Sequence, residues 1–236
     1  MTATQTARAR ARAELTREIK SQARRQLAAE GAQRLSLRAV ARELGMASSA
    51  LYRYFASRDD LLTALIIDAY GAIGESAERA VAALPRPDIR GRWRACCHAV
   101  RDWALAHPHE YALIYGSPVP GYAAPAETIA PASRVAAVLG AVLADAWSVR
   151  DPGLPADARA GEPLQQPLAG QAEQVAAVIA PGVPAAMIAR ALIAWTQLFG
   201  MISFELFGQF VGSADPADAF FGYAVERMGD FVELPP

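Results

Sequence analysis

Apolar residues recur at helical spacing along most of the chain, and Gly, Pro, Ser and Asp break the pattern at helix-length intervals. Leu15, Ile19, Ala23 and Leu27 predict a first helix ending near Gly31. Leu37, Val40, Ala41 and Leu44 predict a short second helix, with Ser36 placed to cap its free N–H groups and Gly45 at its stop. A third short run, residues 47–55, puts Leu51 and Phe55 on one face and Ser48, Ser49, Tyr52 and Arg53 on the other. Ser57-Arg58-Asp59-Asp60 reads as a capping box that opens a fourth helix, which Pro85 and Pro87 end. Further helices are predicted over 88–106, around 111–115, over 126–148, from Pro184 to about Phe210, and after Asp215-Pro216-Ala217-Asp218. No segment alternates like a strand, so the fold class is all-α. Residues 150–184 are rich in Pro, Gly, Ala and Gln and read as a loop, with 171–179 the piece best suited to a helix.

Two short helices joined by a tight turn are the arrangement of a helix-turn-helix. The exposed side of the second carries hydroxyls and Arg and no acid, which suits phosphates and base edges in a major groove. Charge follows the same division. The formal net charge is only −1, but residues 1–62 hold twelve Arg/Lys against six Asp/Glu, and residues 63–236 hold eleven against eighteen. A basic front end on an acidic body fits a DNA-docking module attached to a separate sensor. The predicted organisation is a flexible, disordered Arg-rich arm over 1–13, a three-helix DNA-binding domain over 14–62, and a helical ligand-binding and dimerisation domain over 63–236.

Residues 14–66 resemble the DNA-binding domain of the TetR family of bacterial transcription regulators. The resemblance rests on Leu35-Ser36-Leu37-Arg38, Val40-Ala41, Leu44-Gly45, Ala50-Leu51-Tyr52, Tyr54-Phe55 and Ser57-Arg58-Asp59-Asp60-Leu61. A weaker echo covers 107–125, around Tyr111-Ala112-Leu113-Ile114-Tyr115-Gly116-Ser117-Pro118. The resemblance implies a base contact for Arg38, base or phosphate contacts for Ser48 and Ser49, and phosphate contacts for Tyr52, Tyr54 and Arg58. Ser36 and Arg53 complete the expected DNA-binding set. Tyr54 stands where the family often has His, and Leu37 where it often has Thr. The resemblance further implies a homodimer built on the last two helices, a near-palindromic operator and a small-molecule effector. The expected function is ligand-responsive repression, with activation or sequence-tolerant architectural binding as alternatives.

The middle of the chain supplies the candidates for a pocket: Trp93, Cys97, His98, Trp103, Tyr111, Tyr115, Trp195 and Phe199. Such sites are mostly apolar with a few placed polar groups. An enzyme is not expected, because three His and no Gly-rich phosphate loop offer no nucleophile–base pair. No cofactor or metal is expected, and His107-Pro108-His109-Glu110 reads as a helix start. Cys96 and Cys97 are adjacent and form no disulfide framework, which fits a cytoplasmic location, as does the polar N-terminus. Residues 187–204 are mostly apolar, but Arg190 and Gln197 lie inside the run and Glu205 follows it. That pattern predicts a buried helix and no membrane partner.

Overall fold

The computed structural model describes residues 3–150 and 164–236 of the chain. Among these, helices α1 (Ala3–Glu30), α2 (Leu37–Glu43), α3 (Ser48–Leu51), α4 (Arg58–Ala82), α5 (Ile89–Ala106), α6 (Pro108–Tyr115), α7 (Ile129–Ala132), α8 (Arg134–Ser148), α9 (Leu168–Ile179), α10 (Ala185–Leu206) and α11 (Asp218–Phe231) follow one another without a strand. They form two compact units, Met1–Gly71 with His107–Pro131, and Ala72–Ala106 with Ala132–Pro236.

The first unit buries the stripe the sequence predicts. Ile19, Ala23 and Leu27 of α1 pack with Leu37, Val40 and Ala41 of α2, Leu51 and Phe55 around α3, and Leu61, Leu62, Leu65 and Ile66 of α4. The punctuation works as chemistry. Gly31 takes a φ of 79° and Gly45 one of 64°, a left-handed region costly for any residue with a Cβ. The Ser36 hydroxyl accepts from the Ala39 N–H at 3.4 Å. At α4, the Ser57 N–H donates to Asp60 Oδ2 and the Asp60 N–H donates to Ser57 Oγ, both at 3.0 Å, which closes the capping box.

Several boundaries differ from expectation. The N-terminal arm is helix from Ala3 onward and is continuous with α1. Ala and Arg are strong helix formers, and no Gly or Pro interrupts the segment before Gly31, so extending an existing helix costs little. The regular part of α3 covers only four residues. Bonds from Arg53 N to Ala50 O at 3.2 Å and from Tyr54 N to Leu51 O at 2.8 Å tighten the rest into turns. The helix expected over 126–148 is interrupted at Ser133, between α7 and α8, and Pro131 lies in the first turn of α7, where a missing N–H is tolerated.

The border expected at residue 62 also moves. Residues 58–71 of α4 belong to the first unit, and so does the whole of His107–Pro131. That segment is held by polar contacts: Arg24 Nε to Glu110 at 2.8 Å, Thr63 Oγ1 to Tyr122 OH at 2.9 Å, and Tyr70 OH donating to Ile114 O at 3.2 Å. Asp68 adds pairs with Lys20 at 2.8 Å and Arg24 at 2.7 Å.

In the second unit α5 packs against α8, α10 and α11. Part of the expected 150–184 loop is the helix α9. Ala172 and Ala176 bury against Met187 and Ile188, with Trp147 and Leu192 at the edge. Gly140 makes the approach of α8 possible, since a Cβ there would meet Ile179 O at 2.2 Å. The rest of that expected loop includes 151–163, which lie outside the described residues. By length and composition α10 could cross a membrane, yet Met187, Ile188, Ala194, Leu198, Phe199, Met201 and Ile202 are buried within the unit.

Candidate nucleic-acid interface

The exposed groups around α3 are the ones predicted. Ser48, Ser49 and Arg53 are exposed, and Tyr52 keeps 45% of its surface although Leu51 beside it is fully buried. Burying Leu51 and Phe55 therefore fixes which way the polar side faces. Arg38 is exposed in the first turn of α2, directly after the cap. These groups offer hydroxyl and guanidinium donors that can meet phosphate or base-edge acceptors.

The other residues expected to contact DNA also have partners within the unit. Ser36 is half-buried and its hydroxyl is engaged as the α2 cap. Tyr54 packs its ring on the core, with the Arg12 guanidinium carbon 5.1 Å from the ring centroid. Arg58 turns inward. It donates to Leu35 O at 3.1 Å, Ala32 O at 2.9 Å and Gln33 O at 3.3 Å, and pairs with Asp59 at 3.2 Å. One guanidinium thus ties the α1–α2 connection to the start of α4. Periodicity identifies Arg58 as polar but cannot say which acceptors it meets. Hydrogen bonds from a charged donor are worth about 1.5–3 kcal/mol together with the acceptors they satisfy. Arg58→Ala should cost about that much in urea unfolding, and Arg58→Lys should recover only part of it, because an ammonium cannot span three carbonyls as a fork can.

Two positioning residues were not foreseen. Gln26 is nearly buried; its side chain donates to Arg34 O and accepts from Ser36 N, both at 3.2 Å, and so supports the cap from behind. A lone amide on the Ile19–Ala23–Leu27 face was the available signal. Arg12, placed in the expected arm, donates to Arg53 O at 3.2 Å.

The predicted pocket residues do not converge. Tyr111 and Tyr115 lie in the first unit, with ring centroids 5.2 Å apart, and Tyr115 meets Tyr70 edge-on at 5.9 Å. Burial, then the neighbouring tyrosines, pushes the Tyr115 phenol well above its ordinary range. The remaining candidates lie in the second unit, where Trp93, Cys97, Trp103 and Phe199 are buried and His98 and Trp195 are half-buried. Trp93 is buried and donates its indole N–H to Val225 O at 3.0 Å. Trp103 is buried, His98 sits edge-on to Phe221 at 5.3 Å, and the Trp195 and Phe199 rings meet at a tilt of 44° with centroids 4.5 Å apart. Cys97 is fully buried and its thiol is raised well above its usual range by desolvation; burial pushes neighbouring Cys96 to about 12. Both stay protonated at neutral pH and are poor nucleophiles. Aromatic residues at helical spacing report which side of a helix is covered, and Trp93, Trp103, Tyr111 and Phe199 are the buried ones here.

Two open volumes lie elsewhere in the second unit. A cleft of about 340 Å³ is lined by Glu78, Val81, Leu84, Arg92 and Val138 among others. Arg92 is held there by Asp145 at 2.6 Å. A second, more apolar groove of about 320 Å³ runs between α10 and α11, past Ile193, Gln197, Tyr223 and Phe231.

Comparison with known proteins agrees with this geometry. Residues 19–65 match the model described as bacterial regulatory proteins, tetR family, and residues 93–228 match the tetracyclin repressor-like C-terminal domain. The chain is 38% identical over 206 residues to the HTH-type transcriptional regulator Mb1846 of Mycobacterium bovis, covering 85% of this chain and 84% of the relative. The same figures hold for the HTH-type transcriptional regulator Rv1816 of Mycobacterium tuberculosis. Among solved structures, SCO4313, a protein assigned a regulatory role, is similar with a TM-score of 0.68 and 32% identity, over 93% of this chain and 97% of that one. These matches span both units and identify a DNA-binding transcription regulator and not an enzyme. The chain belongs to the TetR family of bacterial transcription regulators.

Proposed function

We propose that this regulator is a homodimeric repressor that leaves a near-palindromic operator when a small apolar or aromatic molecule binds its second unit. The observation that carries the reading is α4. Its first turn follows directly on the DNA-facing turn, and its last turns supply Glu78, Val81 and Ala82 to the wall of the 340 Å³ cleft. The cleft falls in the volume range of small-molecule sites, about 300–1,000 Å³. A ligand that prefers one position of α4 shifts the population of DNA-binding states, and it does so only by its difference in affinity between them.

The dimer is supported by the outer face of α10 and α11. Ile193, Phe204, Tyr223 and Phe231 are exposed there at 57%, 52%, 65% and 44%. Added Cβ atoms on Gly200 and Gly222 would meet nothing within 4 Å. A twofold copy seated on this face covers the apolar surface and pairs two recognition helices with two half-sites.

The test is fluorescence anisotropy of the full chain on DNA flanking its own gene, at physiological salt with excess competitor. Saturable binding is expected. Arg38→Ala should weaken it by roughly tenfold to a hundredfold, which corresponds to one lost bidentate base contact of about 1–3 kcal/mol. Tyr52→Ala should weaken binding to all sequences alike. A binding curve indifferent to sequence would overturn the reading.

A further inference from the structure

We infer that the N-terminal turns of α1 form an accessory DNA contact, in which Arg8 meets a backbone phosphate beside the half-site read by α3. This rests on the DNA-binding reading above and extends it to a surface outside the helix-turn-helix. Residues 1–13 contain three Arg and no Asp or Glu. Because the segment is helical, these cations have fixed directions. Arg12 donates to Arg53 O at 3.2 Å and lies over the Tyr54 ring, so its face of α1 is fastened to the end of the DNA-facing turn. Arg8 stands four residues earlier on that same face, roughly 6 Å further along the axis, and is exposed. Arg10, also exposed, lies on nearly the opposite side of the helix. The basic strip therefore continues the surface of Ser48, Ser49, Tyr52 and Arg53 in one direction only. Arg12 is a positioning residue, since its hydrogen bond to Arg53 O and its ring contact hold α1 against the end of that turn. A duplex longer than the core operator presents phosphates where Arg8 ends, and each phosphate neutralised releases counterions.

The experiment measures the full chain on its footprinted upstream site in two duplexes, one trimmed to the footprint core and one extended by several base pairs at each end. Affinity is followed across a salt series. The unaltered chain should bind the longer duplex more tightly. Arg8→Ala should remove that preference and make the log–log salt slope shallower by about 0.9 per protomer, with sequence preference and unfolding midpoint unchanged. Alanine keeps the helix, so a folding defect does not enter. Arg10→Ala carries the same charge change on the other face and should leave the duplex-length preference in place. Arg12→Ala should lose the preference as Arg8→Ala does. The inference is overturned if Arg8→Ala retains the full slope and the length preference, or if Arg8→Ala and Arg10→Ala behave alike. No saturable binding by the unaltered chain would overturn the DNA-regulator reading as well, an outcome distinct from normal core binding without a flank effect.

Discussion

Arg101→Ala should be the most damaging single substitution in the second unit, lowering stability by about 3–5 kcal/mol, the cost of breaking a buried ion pair from one side. Arg101 lies on α5 with its side chain only 6% exposed. Its guanidinium grips Glu205 at 2.7 and 2.6 Å, reaches Asp218 at 3.1 Å, and lies 4.9 Å over the Phe221 ring. One cation thus fastens the end of α10 and the start of α11 to α5. Truncation leaves the Glu205 carboxylate, 17% exposed, without its guanidinium partner. Urea titration should give a lower midpoint with an unchanged slope. The double substitution Arg101→Leu with Glu205→Leu should restore most of the loss, because an apolar pair of similar volume removes the stranded charge. A loss under 1 kcal/mol for Arg101→Ala would mean that solvent reaches the pair and screens it.

What was legible in the sequence was local. Gly31, Ser36, Gly45 and the Ser57–Asp60 box act through neighbours within a few residues, so their positions announce the helix ends they make. The α3 surface was legible for a related reason: once Leu51 and Phe55 are buried, Ser48, Ser49, Tyr52 and Arg53 have nowhere else to face. What escaped depends on partners far away in sequence. Arg58 matches the family pattern as a phosphate contact, but carbonyls more than twenty residues earlier claim its guanidinium. The 107–131 segment belongs with the first unit through Glu110 and Tyr122, and no periodicity encodes those pairings. Helical spacing picked the aromatic candidates, and it carries no information about open volume. Helical spacing tells which side of a helix is apolar, whereas a cavity is what the neighbouring side chains leave unfilled. Among the described residues, the cleft at Val81 and Val138 has no aromatic lining to mark it.

Introducing charge on the outer face of α10 and α11 should abolish both self-association and operator binding while leaving the fold intact. In the double variant Ile193→Glu with Tyr223→Glu, both altered side chains are largely exposed in the single chain, at 57% and 65%, so folding does not depend on burying them. Far-ultraviolet circular dichroism and the urea midpoint of a dilute sample should therefore match those of the unaltered chain. In the proposed dimer both positions fall within the contact on each chain, and four carboxylates would be desolvated together without partners. Sedimentation should then give the mass of one chain at concentrations where the unaltered protein sediments as two. DNA binding should fall by about 10²–10⁴, the loss expected when a second linked contact no longer adds its effective concentration. A tenfold or smaller loss would mean that one recognition helix suffices. A variant that still sediments as two chains would place the dimer contact on another face. The sequence implication of a palindromic site follows from the same measurement: the variant should bind one half-site and a full operator equally well, whereas the unaltered chain should require both halves.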